Sequence, residues 1–203
     1  MKLYGYWTSN PQKVRLALEE IGQPYDYEYL DLSQRAHKTL DFRGLSPRQK
    51  VPVLIDGEAV LWESGAALLY LSQKAPHLWP ADDMGRGQAL SWLFFEASAF
   101  NEVARVYFFN RLVLPRLGKT GDEERVAQAA KKIKPFLGLL EEHLTASQAY
   151  LLGDFSLVDC AYAPFLPVLD LEGFSGLQAW RDRLMARDAW TKAEFSYGIY
   201  GEK

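Results

Sequence analysis

The sequence predicts an α/β domain followed by an all-helical domain, on three observations. In the first 75 residues, segments of apolar period two alternate with segments of period 3.6, as expected for strands interleaved with helices. Two apolar runs flank Asp56-Gly57, a dipeptide typical of a β-hairpin turn. Beyond a stretch at 74–87 that holds two prolines and two glycines, the apolar pattern is helical throughout.

The N-terminal region divides into six predicted elements. They are a strand over 2–6, a helix over 11–21, a strand over 26–32, a weak helix or irregular loop over 34–44, a hairpin over 51–62 and a helix over 63–74. The first helix carries Val14, Leu18 and Ile21 on one face, whereas no apolar stripe repeats over 34–44. Strands and helices that alternate in this way form a sheet covered by helices.

The C-terminal region is predicted to be helical. The main helices run from 88 to about Pro115, over 122–146 and over 177–194. Between the last two, Ser156 and Asp159 have the S-x-x-D spacing of a capping box, with Phe155 placed to pack against the helix start. We expect this motif to be structural rather than catalytic, because a cap satisfies the free amide groups of a helix end.

Composition limits the kinds of partner. Of the 203 residues, 48% are apolar and 24% are charged, which is typical of a soluble globular protein. The formal charge of −3 provides no basic field for nucleic acid, and no apolar run approaches the ~18 residues of a membrane span. We therefore expect no nucleic-acid partner and no membrane insertion. Because Cys160 is the single cysteine and the N-terminal stretch lacks the apolar region of a secretory signal, we expect a cytoplasmic protein.

Several common catalytic motifs are missing from the sequence. It has no G-x-S-x-G elbow, no Walker loop, no G-x-G-x-x-G and no C-x-x-C. The three histidines, His37, His77 and His143, lie far apart without metal-ligand spacing. We therefore expect neither a metal site nor hydrolase, NTPase, dinucleotide or dithiol chemistry.

The start of the first helix concentrates small polar residues. Pro11 suits the first helical position and Asn10 is a preferred N-cap, so the backbone amides of this turn are predicted to point past Thr8 and Ser9. An anion could dock there, because helix N-terminal amides attract negative charge. An ordinary capped helix also explains the same residues.

Four segments stand out when their order and spacing are taken together: SNPQKVRLALEE, SPRQKVPVLIDG, WESGAALLYL and FSLVDCAYAP. In this order and spacing they resemble the cytosolic glutathione transferases, and in particular serine/threonine-type, bacterial-like members. The resemblance implies a thioredoxin-like glutathione-binding domain over 1–75, a linker over 76–86 and an all-helical domain over 87–203 that contributes the electrophile site. It also implies glutathione as co-substrate, no metal, and a homodimer.

The resemblance further implies how glutathione is held. Val51-Pro52 matches the family's cis-proline turn, in which the Val51 backbone pairs with the cysteinyl residue of glutathione. Glu63 and Ser64 match the acidic residue and the serine that open the next helix and hold the γ-glutamyl end. Physically, the ligand carboxylate meets helix N-terminal amides and a hydroxyl, while Glu63 takes the ligand ammonium.

A basic segment precedes the cis-proline turn. Between 35 and 50, five cations stand against one acid: Arg35, Lys38, Arg43, Arg48 and Lys50 against Asp41. Lys38 and Lys50 match positions that contact the glycyl carboxylate of glutathione, and a solvated basic face is the alternative. The family often has N-P-x-G before the turn, whereas this chain has the segment 46–49 as S-P-R-Q, so we expect a different loop backbone.

The resemblance leaves two neighbouring hydroxyls as candidates to hold the glutathione thiolate. Tyr6 matches the catalytic tyrosine of other classes poorly, and no cysteine lies near the first helix. Aligning on S-x-P-x-K/R gives Ser9 the catalytic place, whereas aligning on S-x-N-x-x-K/R gives it to Thr8, with Asn10 alongside. We favour Ser9 narrowly.

The second-substrate site is predicted from aromatic residues of the helical region. Tyr107, Phe108 and Arg111, with Tyr197 and Tyr200 of the tail, are candidates for an apolar electrophile pocket. Aromatic residues at helical spacing are also typical of a core.

Three functions remain open at this point. The first is transfer of the glutathione thiol to an apolar electrophile. The second is glutathione-dependent peroxide or disulfide reduction, which Thr8 and Asn10 favour through their likeness to T-P-N members of the family. The third is a non-catalytic interaction module, against which Pro52, Glu63 and Ser64 argue, since a scaffold has no need of a ligand carboxylate site.

Overall fold

The computed structural model of the chain describes residues 1–145 and 148–195. Four short strands form one sheet in the order β2-β1-β3-β4. The strands are β1 (Lys2–Gly5), β2 (Asp26–Tyr29), β3 (Val53–Asp56) and β4 (Ala59–Leu61). Strand β2 runs parallel to β1, whereas β3 is antiparallel to both β1 and β4. The predicted α/β architecture of this region is therefore confirmed, including the hairpin at Asp56-Gly57.

Three helices accompany the sheet. They are α1 (Ser9–Glu20), α2 (Leu40–Leu45) and α3 (Ser64–Ser72), with 3₁₀ turns at Ala36–Lys38 and Pro76–Leu78. Helix α1 buries Val14, Ala17 and Leu18 fully. The segment predicted as a weak helix or loop is a 3₁₀ turn followed by α2, whose start Thr39 caps by accepting from the Phe42 N–H.

Helix α1 begins two residues earlier than predicted. Thr8 is the N-cap, with an extended backbone at φ −126°, so Asn10 is not the cap. Pro11 is accordingly the third helical residue rather than the first. Because the first four N–H groups of a helix have no intrahelical acceptor, a proline there sacrifices no helical hydrogen bond.

The rest of the described chain is helical. Its α-helices are α4 (Asp83–Phe95), α5 (Asn101–Phe108), α6 (Leu114–Arg116), α7 (Glu123–Thr145), α8 (Leu157–Tyr162), α9 (Ser175–Met185) and α10 (Asp188–Phe195). Two π-helical segments, Glu96–Phe100 and Phe109–Val113, join α4, α5 and α6 into one nearly continuous rod, as the long predicted helix requires. The single helix predicted over 177–194 is two helices. No helix of the described residues is long and apolar enough to cross a membrane.

The start of α4 lies inside the segment 76–86 that was predicted as a linker. Asp82 accepts from the Gly85 N–H at 2.9 Å and so caps the helix at Asp83. The prolines and glycines of this stretch therefore form a short turn. Asp82 within the stretch caps the helix and so sets its start.

The two regions share one apolar core. Leu3 and Leu54 of the sheet belong to the same buried cluster as Phe100 and Trp180 of the helical region. Helix α1 packs on α8 and α10 as well as on α3. The surfaces that face each other between the regions are thus fixed relative to one another.

The predicted capping box starts α8. Asp159 is fully buried and accepts from the Ser156 N–H at 2.9 Å, the Ser156 hydroxyl at 3.0 Å, the Leu151 N–H at 3.2 Å and the Trp180 indole N–H at 3.0 Å. Burial raises the pKa of this carboxyl to about 6, so it is ionised at neutral pH. The box therefore ties α8 to α9 and to the preceding loop.

Asp159→Asn is expected to lower the free energy of unfolding by about 1 to 2 kcal/mol. The amide oxygen still accepts from Leu151 and Trp180, but the NH₂ group now faces the Ser156 donors, so the helix cap is lost. Urea denaturation at pH 7 measures the change. The control is Asp154→Asn at an exposed site nearby, expected within about 0.5 kcal/mol of the native chain. Equal losses of unfolding free energy in both variants would contradict the role of Asp159 as a helix cap.

Candidate functional site

A cavity of about 650 Å³ lies between the sheet domain and the rod of α4 and α5. This volume is in the usual range for small-molecule sites. The predicted glutathione-site residues on its wall are Asn10, Lys50, Val51, Pro52, Glu63 and Ser64. Six of the residues predicted from separate segments of sequence are thus brought together around one space.

The cis-proline turn and the start of α3 form one side of the cavity. The Val51-Pro52 peptide bond is cis, as the resemblance implied. Glu63 is the extended N-cap of α3, and Ser64, Gly65 and Ala66 of its first turn line the cavity. The amides of a first helical turn lack intrahelical acceptors and lie at the positive end of the helix dipole. This side of the cavity can therefore receive a carboxylate.

The Glu63 carboxylate has a partner that the sequence did not indicate. Arg48 donates to Glu63 Oε1 at 2.9 Å, and both residues line the cavity. The side chains are 65% and 51% exposed, so the pair is held weakly. A ligand ammonium can replace the guanidinium at little cost.

The loop before the cis-proline closes through side chains. Ser46 Oγ accepts from the Lys50 N–H at 3.1 Å and donates to the Lys50 carbonyl at 3.0 Å. Gln49 stands where the family often has glycine and adopts φ 51°, the left-handed region that glycine favours. The loop thus reaches a glycine-like conformation without the glycine.

The two predicted lysines differ in position. Lys50 lines the cavity, whereas Lys38 is exposed on the 3₁₀ turn and is not part of the wall. Both lie close enough to His37 to act on it, since burial, Lys38 and Lys50 together lower the pKa of that imidazole. The buried His37 Nδ1 has no hydrogen-bond partner among the described residues. Sequence reasoning passed over His37 because it was sought as a metal ligand.

The three polar residues at the start of α1 differ in their burial and in their position relative to the cavity. Ser9 is 3% exposed and does not line the cavity. Thr8 is half-buried at the N-cap, its side chain does not cap the helix, and it too is not part of the cavity wall. Asn10 lines the cavity and accepts from Asn101 Nδ2 at 2.9 Å.

Tyr6 and Cys160, neither of which the sequence favoured as a thiolate partner, are both buried. Tyr6 is buried against Tyr29 and Trp7, and burial raises the pKa of its hydroxyl. Cys160 is buried in the helical domain, and burial raises the pKa of its thiol well above the usual value. Neither group lies on the cavity wall.

The predicted electrophile residues do not reach this cavity. Tyr107 and Phe108 are each 1% exposed and belong to the core, and Arg111 donates to the Asp170 carboxylate at 2.6 and 3.0 Å. Tyr197 and Tyr200 lie outside the described residues. The face of the rod that carries Tyr107 and Phe108 packs against the core of the helical domain. It therefore does not face the sheet domain across the cavity.

A different stripe of the rod provides the apolar wall. Leu90, Leu93, Phe94 and Ala97 line the cavity, and Phe94 is 67% exposed. Their spacing of three, four and seven residues is the pattern of one helix face. That pattern is present in the sequence and indicates a second apolar helix face, but it does not show which face meets the cavity.

No group of three or more histidine, cysteine, aspartate or glutamate side chains within the described residues could hold a metal ion. The cavity instead offers separate donors and charges.

Comparison with known proteins identifies two matching domain families. Residues 1–73 match the model described as glutathione S-transferase, N-terminal domain, and residues 123–184 match glutathione S-transferase, C-terminal domain. Glutathione S-transferase 3 of Zea mays is 34% identical over 208 residues, covering 95% of this chain and 92% of that protein.

Solved structures have the same architecture. Glutathione transferase F2 from Populus trichocarpa superposes with a TM-score of 0.87 over 97% of this chain and 98% of that one, and at 21% identity it supports the fold alone. A glutathione transferase from Pseudomonas putida has a TM-score of 0.82 at 25% identity, covering 95% of this chain and 89% of that one. It was solved with one glutathione disulfide bound per subunit.

Proposed function

The chain belongs to the glutathione S-transferase family of enzymes, and we propose that it joins the glutathione thiolate to an apolar electrophile. The observation that carries this proposal is the cavity itself. Its sheet-domain side offers a helix N-terminus, a carboxylate and a cis-proline turn, and its helical side offers an apolar wall. A polar tripeptide and an apolar second substrate require this division of surfaces.

In the proposed complex, glutathione lies along the sheet-domain side. Its γ-glutamyl carboxylate binds the first-turn amides and the hydroxyl of Ser64, and its ammonium binds Glu63. The Val51 backbone pairs with the cysteinyl residue. Lys50 and Lys38 attract the glycyl carboxylate. The thiol then lies near the start of α1.

The thiol must be ionised to act as a nucleophile. Lowering a pKa near 8.5 by about two units requires ~2.7 kcal/mol of preferential stabilisation of the thiolate. A helix N-terminus contributes ~0.3 to 1 kcal/mol, and a hydrogen bond to a charged group contributes roughly 1.5 to 3 kcal/mol. The helix N-terminus alone falls short of this amount, so a hydroxyl at the start of α1 is needed to supply most of the rest.

We assign that hydroxyl to Thr8 rather than to Ser9, which the sequence narrowly favoured. The burial of Ser9 and the uncommitted side chain of Thr8 at the N-cap support this choice. Thr8→Val, which keeps the shape of the side chain, is expected to raise the pKa of the bound thiol by about one unit. The transfer rate at pH 6.5 should fall about fivefold, because the ionised fraction of the bound thiol drops from about one half to about one tenth. Titration of the thiolate ultraviolet absorbance measures the pKa.

Ser9→Ala is the matched control for Thr8→Val. The neighbouring hydroxyl is removed at a buried position, so the pKa of the bound thiol should stay unchanged. A shift in Ser9→Ala without one in Thr8→Val would return the role to Ser9.

Glutathione-dependent disulfide reduction is a second candidate function. Asn10 on the cavity wall beside Thr8, together with the relative solved with glutathione disulfide, favours it. In this reaction the bound thiolate attacks one sulfur of a disulfide, a new mixed disulfide forms, and the second sulfur leaves as a thiolate.

An assay panel separates these functions. Retention on immobilised glutathione tests the glutathione site. Turnover of an aryl halide supports transfer, whereas turnover of an organic hydroperoxide or a small disulfide, without aryl halide turnover, supports the second candidate. Retention without any turnover would indicate a binding module.

The homodimer is also part of the proposal. Met84 of α4 is 75% exposed and is not part of the cavity wall, and a second copy of the chain would cover such an apolar side chain. Sedimentation equilibrium at twice the chain mass would support the dimer, and a single-chain mass would refute it.

A further inference from the structure

Two polar contacts join α1 to the helical rod beside the cavity. Asn101 Nδ2 donates to Asn10 Oδ1 at 2.9 Å, and Lys13 Nζ donates to Glu96 Oε1 at 2.7 Å. Three of these four residues, Asn10, Glu96 and Asn101, line the cavity. We refer to the four as the interdomain polar seam.

A π-helical turn makes the seam possible. Glu96 and Asn101 are five residues apart, which in an α-helix would point them about 140° away from each other. The segment Glu96–Phe100 is instead π-helical, and the Asn101 N–H donates to the Glu96 carbonyl. The wider turn directs both side chains towards α1, where Asn10 and Lys13, three residues apart, share a face. Such turns are frequent at functional sites.

The contact with Asn101 fixes the orientation of the Asn10 amide. An asparagine side chain has one acceptor oxygen and one donor NH₂ group. Because Asn101 donates to Asn10 Oδ1, the NH₂ group of Asn10 is left to donate on its other side, where the residue lines the cavity. The opposite orientation would direct an oxygen lone pair at an anionic sulfur.

We propose that Asn101 is a positioning residue that holds the Asn10 NH₂ group towards the thiolate of bound glutathione. This inference rests on the proposed function, because it requires glutathione in the cavity. Asn10 then supplements the Thr8 hydroxyl. The helical domain thereby contributes to thiol activation through a side chain that does not itself touch the sulfur.

The neighbouring ion pair supports this arrangement. Glu96 is an acid on the cavity wall, and an unpaired carboxylate there would repel a thiolate. Lys13 neutralises it at 2.7 Å. The seam thus presents an amide donor to the sulfur without a net negative charge.

Asn101→Leu tests the proposal, because leucine fills similar space and cannot hydrogen-bond. The pKa of the bound glutathione thiol is expected to rise by about half a unit to one unit. The dissociation constant of S-methylglutathione, which lacks the thiol, should change less than twofold. A purely structural role would not produce this split. Asn101→Ala serves as a second variant if the leucine variant does not fold.

The same substitution in an Asn10→Ala background completes a double-mutant cycle. If Asn101 acts through Asn10, Asn101→Leu shifts the thiol pKa in the native background and has no further effect in Asn10→Ala. An equal shift in both backgrounds, or no shift in the native background, would overturn the proposal. Failure of the native chain to bind glutathione would overturn the proposed function as well, so the two failures are distinguishable.

Discussion

Replacing Lys13 with methionine is expected to lower the free energy of unfolding by about 3 to 5 kcal/mol, the usual effect of removing one partner of a buried ion pair. The Lys13 side chain is fully buried, and that of Glu96 is 3% exposed. Without the ammonium, the buried Glu96 carboxylate loses the cation that pairs with it. Urea denaturation at pH 7, followed by far-ultraviolet circular dichroism, measures the change.

Two controls separate the buried charge from other effects. Replacing both partners, in Lys13→Met/Glu96→Met, should recover most of the stability, because a well-packed apolar pair is often as stable as a buried ion pair. Lys2→Met breaks the Lys2–Glu28 pair, whose side chains are 42% and 53% exposed, and should cost less than about 1 kcal/mol. A double variant no more stable than Lys13→Met would show that packing, not the unpaired charge, accounts for the loss.

The sequence was sufficient for the fold because its local signals agree with one another. The Asp56-Gly57 turn, the capping box at Ser156 and Asp159, and the change from period two to period 3.6 each determine structure within a few residues. These signals gave the order of the elements and the division into a sheet domain and a helical domain. Each of these signals involves residues that are close together in the chain, so a single sequence contains all the information needed to recognise it.

The start of α1 was less predictable, since two rules pointed to the same wrong residue. Asn10 is a better N-cap than threonine, and Pro11 suits the first helical position, yet Thr8 is the cap. The first turn tolerates proline at several positions, so its presence does not fix the boundary. This shift of two residues changes which hydroxyl is buried.

The burial of Tyr107 and Phe108 away from the cavity was unpredictable for a different reason. Tyr107 and Phe108 have the right chemistry for an apolar site, but periodicity shows only that a helix has an apolar face. The long rod has two such faces, one towards the core and one towards the sheet domain at Phe94. Which of them meets the cavity depends on tertiary packing. The contact between Asn10 and Asn101 also depends on tertiary packing, because the two residues are 91 positions apart in the chain.

Glu63→Ala is expected to weaken the binding of glutathione between about tenfold and a hundredfold. The proposed role of Glu63 is to bind the ligand ammonium, and a hydrogen bond between charged groups contributes roughly 1.5 to 3 kcal/mol. Isothermal titration calorimetry measures the dissociation constant. A glutathione analogue that lacks the ammonium should bind the native chain and the variant with similar affinity, because the analogue has no group for Glu63 to bind.

Arg48→Ala is the matched control, because it breaks the same ion pair from the other side. It removes the guanidinium at 2.9 Å and leaves the Glu63 carboxylate in the cavity. The pair is exposed and is worth about 0 to 1 kcal/mol, so the dissociation constant should change less than fivefold. If Arg48→Ala weakened binding as much as Glu63→Ala, Glu63 would act by holding Arg48 rather than by binding the ammonium. The ligand contact would then belong to the arginine.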